Sequence, residues 1–137
     1  MYVLIYYTIA YRGLNVDLER QLFEGKFVLQ GYEPGKIIVN KKIFNFPIII
    51  SPTSIHDFWK QKKINTLVDK DFEVLTKMNP ELIIIGTGPK HIVMDEKLFE
   101  NCYKKNIPVE CMASDKACLV LPTLLSEKRK VVAALFV

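Results

Sequence analysis

The strongest restriction on the fold comes from residues 82–89, where four large aliphatic residues are followed at once by Gly-Thr-Gly-Pro. An unbroken apolar run of this kind indicates a strand buried on both faces, as in the parallel sheets of α/β proteins. The simplest role for Gly86 and Gly88 is to permit a sharp, positive-φ exit from that strand. Ligands also gather beyond the carboxyl ends of such strands, so a binding site at this corner is the other interpretation.

The segments after this strand alternate between helix and strand patterns. Asp95 is placed to cap a helix, and residues 108–112 predict a second strand. A further helix opens at Ser114 or Asp115, and residues 131–137 predict a last strand. The order strand, helix, strand, helix, strand predicts a sheet with helices packed on it and right-handed crossovers.

The first third of the chain reads as β structure. Residues 26–50 contain short apolar stretches separated by turn signals at residues 31–35 and 40–42, which predicts a meander of antiparallel strands. Pro47 cannot donate to a strand ladder, so it marks an edge or a bend.

Two short helices are predicted between this part and the strand at residues 82–85. Thr53 or Ser54 is placed to cap a turn of helix that carries Trp59, the only tryptophan, into the core. Asp71 is placed to cap a second helix that continues through Met78.

The N-terminal residues differ from the rest in composition. Met1 to Tyr11 are strongly apolar, and their aromatic and β-branched content predicts a strand. The stretch is too short for a transmembrane helix, which needs about 20 residues, and it lacks the positive start and cleavage site of a signal peptide. A chain of 137 residues suits one domain. We therefore assign residues 1–24 to an apolar N-terminal extension and residues 25–137 to a single α/β domain.

Charge and cysteine content exclude several classes of partner and cofactor. The net charge is only +4, and the lysines are scattered rather than gathered among stacking aromatics, so we expect no nucleic-acid partner. Three cysteines without a Cys-x-x-Cys pair indicate buried thiols in a reducing compartment. We expect neither a metal site nor a cofactor, because ligands with metal-site spacing are lacking.

The Gly-Thr-Gly loop departs from the known phosphate-binding motifs. A dinucleotide fingerprint needs a third glycine where this chain has His91, and Pro89 removes one amide from the loop. If the loop binds a ligand, Gly86 and Gly88 supply amides. Its contacting side chains are then those of Thr87 and Lys90, and His91 or Cys118 supplies a reactive group. No catalytic constellation is evident in the sequence, so we assign no catalytic residue.

The sequence resembles a known family in a series of short motifs spread over residues 25–137. These motifs are Gln30-Gly-Tyr32, residues 35–40, Pro47, Pro52, Trp59, Pro80-Glu81, residues 86–88, residues 109–112, Ala117-Cys118 and residues 124–127. The family is that of small α/β proteins, mostly of unknown function, which includes mitochondrial NADH dehydrogenase (complex I) assembly factor three and its bacterial and archaeal relatives. The resemblance implies a central mixed sheet flanked by helices, with an added N-terminal β meander.

The resemblance also implies a function. The chain is expected to be a non-catalytic assembly or scaffold protein that binds complex I subunits or a second assembly factor. Peripheral association with a membrane is compatible with that role. The expected location is the cytoplasm in a bacterium and the matrix side of the inner membrane in a mitochondrion. The alternative is a small ligand-binding protein or enzyme with a pocket at the Gly-Thr-Gly loop.

Three positions depart from the family pattern, one of them being Lys128, where relatives often have a Gly between Glu and Arg. Relatives tend to carry an Arg and an Asn where this chain has Leu119 and Pro122. If those polar residues form a site with the Gly-Thr-Gly loop, that site is altered here. Pro122 is also expected to kink the helix or delay its start, within a helix predicted to reach Lys128.

Overall fold

The computed structural model describes residues 29–137, which form two sheets and three α-helices. The predicted extension at residues 1–24 and the domain start at residue 25 lie outside the described residues. The strands are β1 (Leu29–Glu33), β2 (Lys36–Val39), β3 (Lys42–Phe44), β4 (Ile48–Ile50), β5 (Ile55–His56), β6 (Leu82–Thr87), β7 (Val109–Met112) and β8 (Val131–Phe136). The helices are α1 (Glu73–Thr76), α2 (Glu100–Lys104) and α3 (Ser114–Ser126), with 3₁₀ turns at Ile64–Thr66, Asp69–Phe72 and Glu96–Phe99.

The predicted fold class is confirmed: a mixed sheet lies at the centre, with a small β meander added. The central sheet has the order β5-β4-β8-β6-β7. β6 is parallel to both β7 and β8, whereas β4 is antiparallel to β8 and to β5. Strands β6 and β8 are buried along their whole length, as the unbroken apolar runs in their sequences predict.

Alternate residues of the central strands pack into two cores, one on each face of the sheet. Ile84 and Leu135 face the core formed with α3 and the meander. Ile83 and Ile85 face the other core, which contains Trp59 and the short helices. The predicted core role of Trp59 is confirmed, since its ring lies 5.3 Å from that of Phe72.

The meander is shorter than predicted. β1, β2 and β3 form it, but β4 leaves it and joins the central sheet beside β8. The first turn is also narrower than predicted, because β1 continues through Glu33 and only Pro34 and Gly35 lie between the strands. The second turn is confirmed, with Asn40 at a φ of 53°.

Several predicted helix boundaries are wrong. Residues 55–56 form an edge strand, not a helix, because Ile55 pairs with Ile50 of β4. Asp71 is not a helix cap; it lies inside the 3₁₀ turn Asp69–Phe72, and α1 ends at Thr76 rather than Met78. Helix α3 ends at Ser126, and its start is not delayed by Pro122, which lies inside it.

Candidate functional site

The two glycines of the Gly-Thr-Gly corner have different structural roles. Gly88 has a φ of 98°, so the predicted positive-φ exit is confirmed at this position. Gly86 instead lies within the β6 ladder, and a Cβ built on it comes within 2.8 Å of Ser114 Oγ and 2.9 Å of Leu135 Cδ2. Gly86 is therefore a close-packing glycine that lets the first turn of α3 approach the sheet.

Ser114 closes the corner from the α3 side. Its backbone N–H donates to Gly88 O at 2.8 Å, and its hydroxyl accepts from Gly88 N at 2.8 Å. The same hydroxyl donates to Phe136 O at 2.5 Å, which ties the corner to the end of β8. Since the Gly88 amide is engaged by Ser114, it is not directed at a ligand in this structure.

Thr87 fixes the loop that follows the corner. Its hydroxyl lies 2.5 Å from Lys90 O and 3.2 Å from Met112 O, either of which can take its single proton. The hydroxyl oxygen also accepts from Ile92 N at 3.1 Å. Thr87 is buried, so these bonds set the path of residues 88–92 from within the protein.

The six residues predicted as a ligand site differ in their exposure to solvent. Gly86, Thr87 and Gly88 are buried in the corner, whereas Lys90 and His91 are exposed on the loop. The sixth, Cys118, lies one turn along α3 in the core with Leu82 and Ile84. Their role in binding remains a prediction.

Burial keeps the thiols of the chain protonated near neutral pH. It raises the pKa of Cys118 to about 12 and that of Cys111 to about 11. Burial also raises the pKa of Cys102. Because the thiolate is the nucleophilic form, a reactive role for Cys118 requires a change in its surroundings.

A groove of about 580 Å³ lies next to the loop that Thr87 fixes. One wall is the segment 64–69 and the other is the segment 92–98, and we call it the Val93 groove. Its lining residues are Ile64, Asn65, Leu67, Val68, Asp69, Ile92, Val93, Met94, Asp95, Lys97 and Leu98. Three large apolar side chains of the groove are exposed to solvent: Val93 by 87%, Val68 by 56% and Ile92 by 41%. These three side chains give the groove an exposed apolar rim.

The polar groups of the Val93 groove include an incompletely bonded carboxylate. Asp69 Oδ2 accepts from Asn101 Nδ2 at 2.8 Å, but Asp69 Oδ1 is buried without a hydrogen-bond partner among the described residues. Asp95 caps the 3₁₀ turn through its Oδ1, which accepts from Lys97 N at 2.9 Å. The groove thus carries two carboxylates and one ammonium group.

The predicted site did not include the residues of this groove. Its walls are separated by more than 20 residues in sequence, and neither wall carries a motif. The one usable signal was Ile92-Val93, two β-branched residues in a segment without strand or helix pattern.

A cluster of polar side chains that the sequence analysis did not predict lies at the β4–β5 turn. Ser54 Oγ is 2.8 Å from Ser51 Oγ and 2.8 Å from His56 Nε2, and the His56 ring stacks on Phe58. Ser51 Oγ also accepts from Ser54 N at 3.1 Å, so the serines stabilise the turn. A serine bonded to a histidine resembles an activated nucleophile, but the third, orienting group of such a triad is not found among the described residues.

Residues 29–137 hold neither an evident metal site nor a membrane-spanning helix. That part of the chain has no cluster of three His, Cys, Asp or Glu side chains suited to a metal ion. Its helices are all too short or too polar to cross a bilayer.

Two curated proteins are similar in sequence to this chain. The "13 kDa major membrane protein" of Francisella tularensis subsp. holarctica is 29% identical over 117 residues, which cover 85% of this chain and 95% of that protein. The "NADH dehydrogenase [ubiquinone] 1 alpha subcomplex assembly factor 3" of Danio rerio is 24% identical over 127 residues, which cover 91% and 72%.

Solved structures share the fold. A solution structure from Xanthomonas campestris matches with a TM-score of 0.75 and 23% identity, over 81% of this chain and 84% of that one. A Bordetella pertussis protein described as an Mth938-like domain matches with a TM-score of 0.68 and 19% identity, over 79% and 84%. The model of a protein family of unknown function, DUF498/DUF598, matches residues 29–136. The chain belongs to this family.

Proposed function

We propose that this protein acts by binding other proteins, as an assembly factor for respiratory complex I. The observation that carries the binding role is the Val93 groove, where Val68, Ile92 and Val93 expose apolar surface beside two carboxylates. Exposed apolar surface of this kind is stabilised when a partner covers it. The complex I assignment is supported by the similarity to the Danio rerio assembly factor.

The proposed partners are complex I subunits or a second assembly protein. The corresponding location is the cytoplasm of a bacterium or the matrix side of a mitochondrion, with peripheral membrane contact. The alternative, a ligand pocket at the Gly-Thr-Gly corner, has weaker support, because Ser114 engages the Gly88 amide and burial keeps the pKa of the Cys118 thiol high.

Gene deletion in a cell that contains complex I tests the proposal. We expect the deletion strain to lose assembled complex I on native gels, while a second respiratory complex stays at its normal level. The wild-type gene and Leu119→Asp should restore complex I, whereas Val93→Asp should not. Leu119 is the matched control because it is an exposed apolar residue, 59% accessible, on α3 and outside the groove. An unchanged complex I level in the deletion strain would refute the assembly role.

A further inference from the structure

The positive charge of the chain is concentrated in one segment. Residues 36–63 contain six lysines, no arginine and a single acidic residue, Asp57, so this segment has a charge of +5. Since the whole chain carries +4, all its other residues together carry −1. The six are Lys36, Lys41, Lys42, Lys60, Lys62 and Lys63. Such an asymmetry favours an anionic partner on the side of the molecule where these lysines lie.

Most of these lysines have no carboxylate partner in the fold. Lys36 Nζ lies 3.9 Å from Glu33 Oε2, and Lys62 Nζ lies 2.9 Å from Asp71 Oδ1. The lysines that are exposed and form no ion pair within residues 29–137 are Lys41, Lys42, Lys60 and Lys63. Their charge is therefore not neutralised inside the described part of the chain.

The fold brings lysines from separate elements to one cleft. This cleft of about 410 Å³ is lined by Lys42 from the meander and by His56 and Asp57 from the end of β5. Lys60 lies beside it, because its ammonium group is 4.7 Å from the ring centre of Phe46, which also lines the cleft. Lysines that are 18 positions apart in sequence thus border the same surface.

An exposed aromatic ring belongs to the same surface. Phe58 is 54% exposed and stacks on His56, with the ring centres 4.8 Å apart. A phenyl ring beside ammonium groups suits a membrane interface, where the ring enters the boundary of the acyl chains and the lysines reach the headgroups.

The choice of lysine over arginine also favours a lipid surface. An ammonium group is a point charge that needs no fixed geometry to meet a lipid phosphate. Arginine is preferred where a protein or a nucleic acid is recognised by paired hydrogen bonds, and residues 36–63 contain none.

We propose that Lys42, Phe58 and Lys60 form a docking surface for a membrane that contains anionic phospholipids. The two ammonium groups contact headgroup phosphates, and the Phe58 ring inserts at the interface. This inference deepens the proposed function and rests on it only for the peripheral membrane contact, since it does not need the complex I assignment.

Sedimentation of the full chain with vesicles tests the role of charge. The vesicles contain phosphatidylglycerol and phosphatidylcholine in equal parts, or phosphatidylcholine alone. We expect binding only to the anionic vesicles, and we expect the double variant Lys42→Glu/Lys60→Glu to weaken it by about tenfold or more.

The matched control for this experiment is Lys104→Glu/Lys116→Glu. It changes the net charge by the same amount at two exposed lysines outside the basic segment, so binding should weaken by less than about threefold. The proposal is overturned if the chain does not bind anionic vesicles, if it binds both kinds of vesicle equally, or if the two double variants lose binding equally.

The depth of residue 58 in the bilayer provides a second test. The full chain carries Phe58→Trp or, as the control, Leu119→Trp, and lipids brominated in their acyl chains quench a tryptophan that enters the bilayer. The native Trp59 is buried, so we expect strong quenching for Phe58→Trp and little for Leu119→Trp. Equal quenching in the two variants, or none in either, would show that residue 58 does not insert.

Competition distinguishes the membrane from other anionic partners. Polyglutamate and an RNA oligonucleotide are added to the vesicle-bound chain at the same concentration of negative charge as the lipid. We expect the chain to stay on the vesicles, because neither competitor offers an apolar layer for Phe58. Release by polyglutamate or by RNA would assign the surface to an acidic protein or to a nucleic acid, and so would contradict the proposal.

The outcomes separate this inference from the proposed function, because the vesicle experiments contain no complex I. Vesicle binding that depends on Lys42 and Lys60, in a protein whose deletion leaves complex I unchanged, refutes only the assembly role. Loss of complex I on deletion, with no binding to anionic vesicles, refutes only the docking surface.

Discussion

At the scale of single residues, Ser114 joins three parts of the chain that are far apart in sequence. It bonds Gly88 at the end of β6 and Phe136 at the end of β8, and it stands against the bare Cα of Gly86. A larger residue at position 86 would push α3 away from the sheet. Gly86 thus leaves the space that the Ser114 side chain occupies at this corner.

Ser114→Ala tests how much the hydrogen bonds of the Ser114 hydroxyl stabilise the fold. The change leaves the buried Gly88 N–H without its acceptor, and we expect the free energy of unfolding to fall by about 1–3 kcal/mol. Ser126→Ala is the control, because its hydroxyl bonds Thr123 O at 2.8 Å on the solvent side of the same helix. Urea titration should show a loss of less than about 0.5 kcal/mol for the control. Equal losses of unfolding free energy in the two variants would show that the buried hydrogen bonds of Ser114 stabilise the fold no more than the exposed bond of Ser126.

The burial of Cys118 predicts a pH dependence of stability. Its pKa is about 12 in the folded chain against an ordinary value of 9.0. Below pH 9 both states keep the proton, so the thiol adds no pH dependence; above pH 9 the unfolded state loses its proton first. Stability therefore falls as pH rises from 9 towards 12, by up to about 1.4 kcal/mol per pH unit from this group. Urea unfolding at increasing pH should show a smaller slope for Cys118→Ala, and an unchanged slope would contradict the assignment.

Sequence and structure agree at residues whose role is local and differ where the role depends on distant contacts. The positive φ of Gly88 and the cap at Asp95 follow from their immediate neighbours, so both were predictable. The positive-φ role predicted for Gly86 was wrong. Position 86 requires a glycine because Ser114, 28 positions along the chain, packs against it. Asp69 had no sequence signal, since its unbonded oxygen arises only when tertiary contacts bury it.

At the scale of elements, long apolar strands were predictable and short ones were not. β6 and β8 are apolar throughout because both faces of the central sheet are covered. β5 has two residues and exists because Ile55 and His56 pair with β4, which no propensity reveals. The helix predicted at these residues was wrong because the local sequence pattern does not show which residues pair across the sheet.

The capping hydrogen bond of Asp95 makes a measurable contribution to the stability of the fold. Asp95→Ala removes the acceptor for Lys97 N at the start of the 3₁₀ turn that leads into α2. We expect a loss of about 1 kcal/mol in the free energy of unfolding. Glu96→Ala is the matched control, since it removes the same charge from the same turn without a capping bond. Thermal unfolding that shows equal losses for both variants would contradict the capping role.

At the scale of the whole molecule, the two cores share one sheet. Residues of β4, β6 and β8 contribute alternately to both cores, so loss of packing on one face is transmitted to the other. The fold class was predictable because the order of elements limits the ways a sheet can be covered. The Val93 groove was not, because its two walls meet only in the assembled molecule.

The predicted domain boundary at residue 25 is tested by shortening the chain. We expect residues 25–137 alone to unfold in a single cooperative transition, because the described residues 29–137 contribute residues to two cores and form a three-stranded meander. Calorimetry on the shortened and full chains measures this. Two transitions, or none, in the shortened chain would show that residues 1–24 are part of the domain.

The position of β8 has a consequence for synthesis on the ribosome. It is the last strand of the described residues to be made, yet it lies between β4 and β6 at the centre of the sheet. A nascent chain that has released β4 and β6 still has a gap between them, with their inner edges unpaired. Such edges are templates for wrong pairing. Premature termination before β8 should therefore leave an aggregation-prone fragment that chaperones must shield.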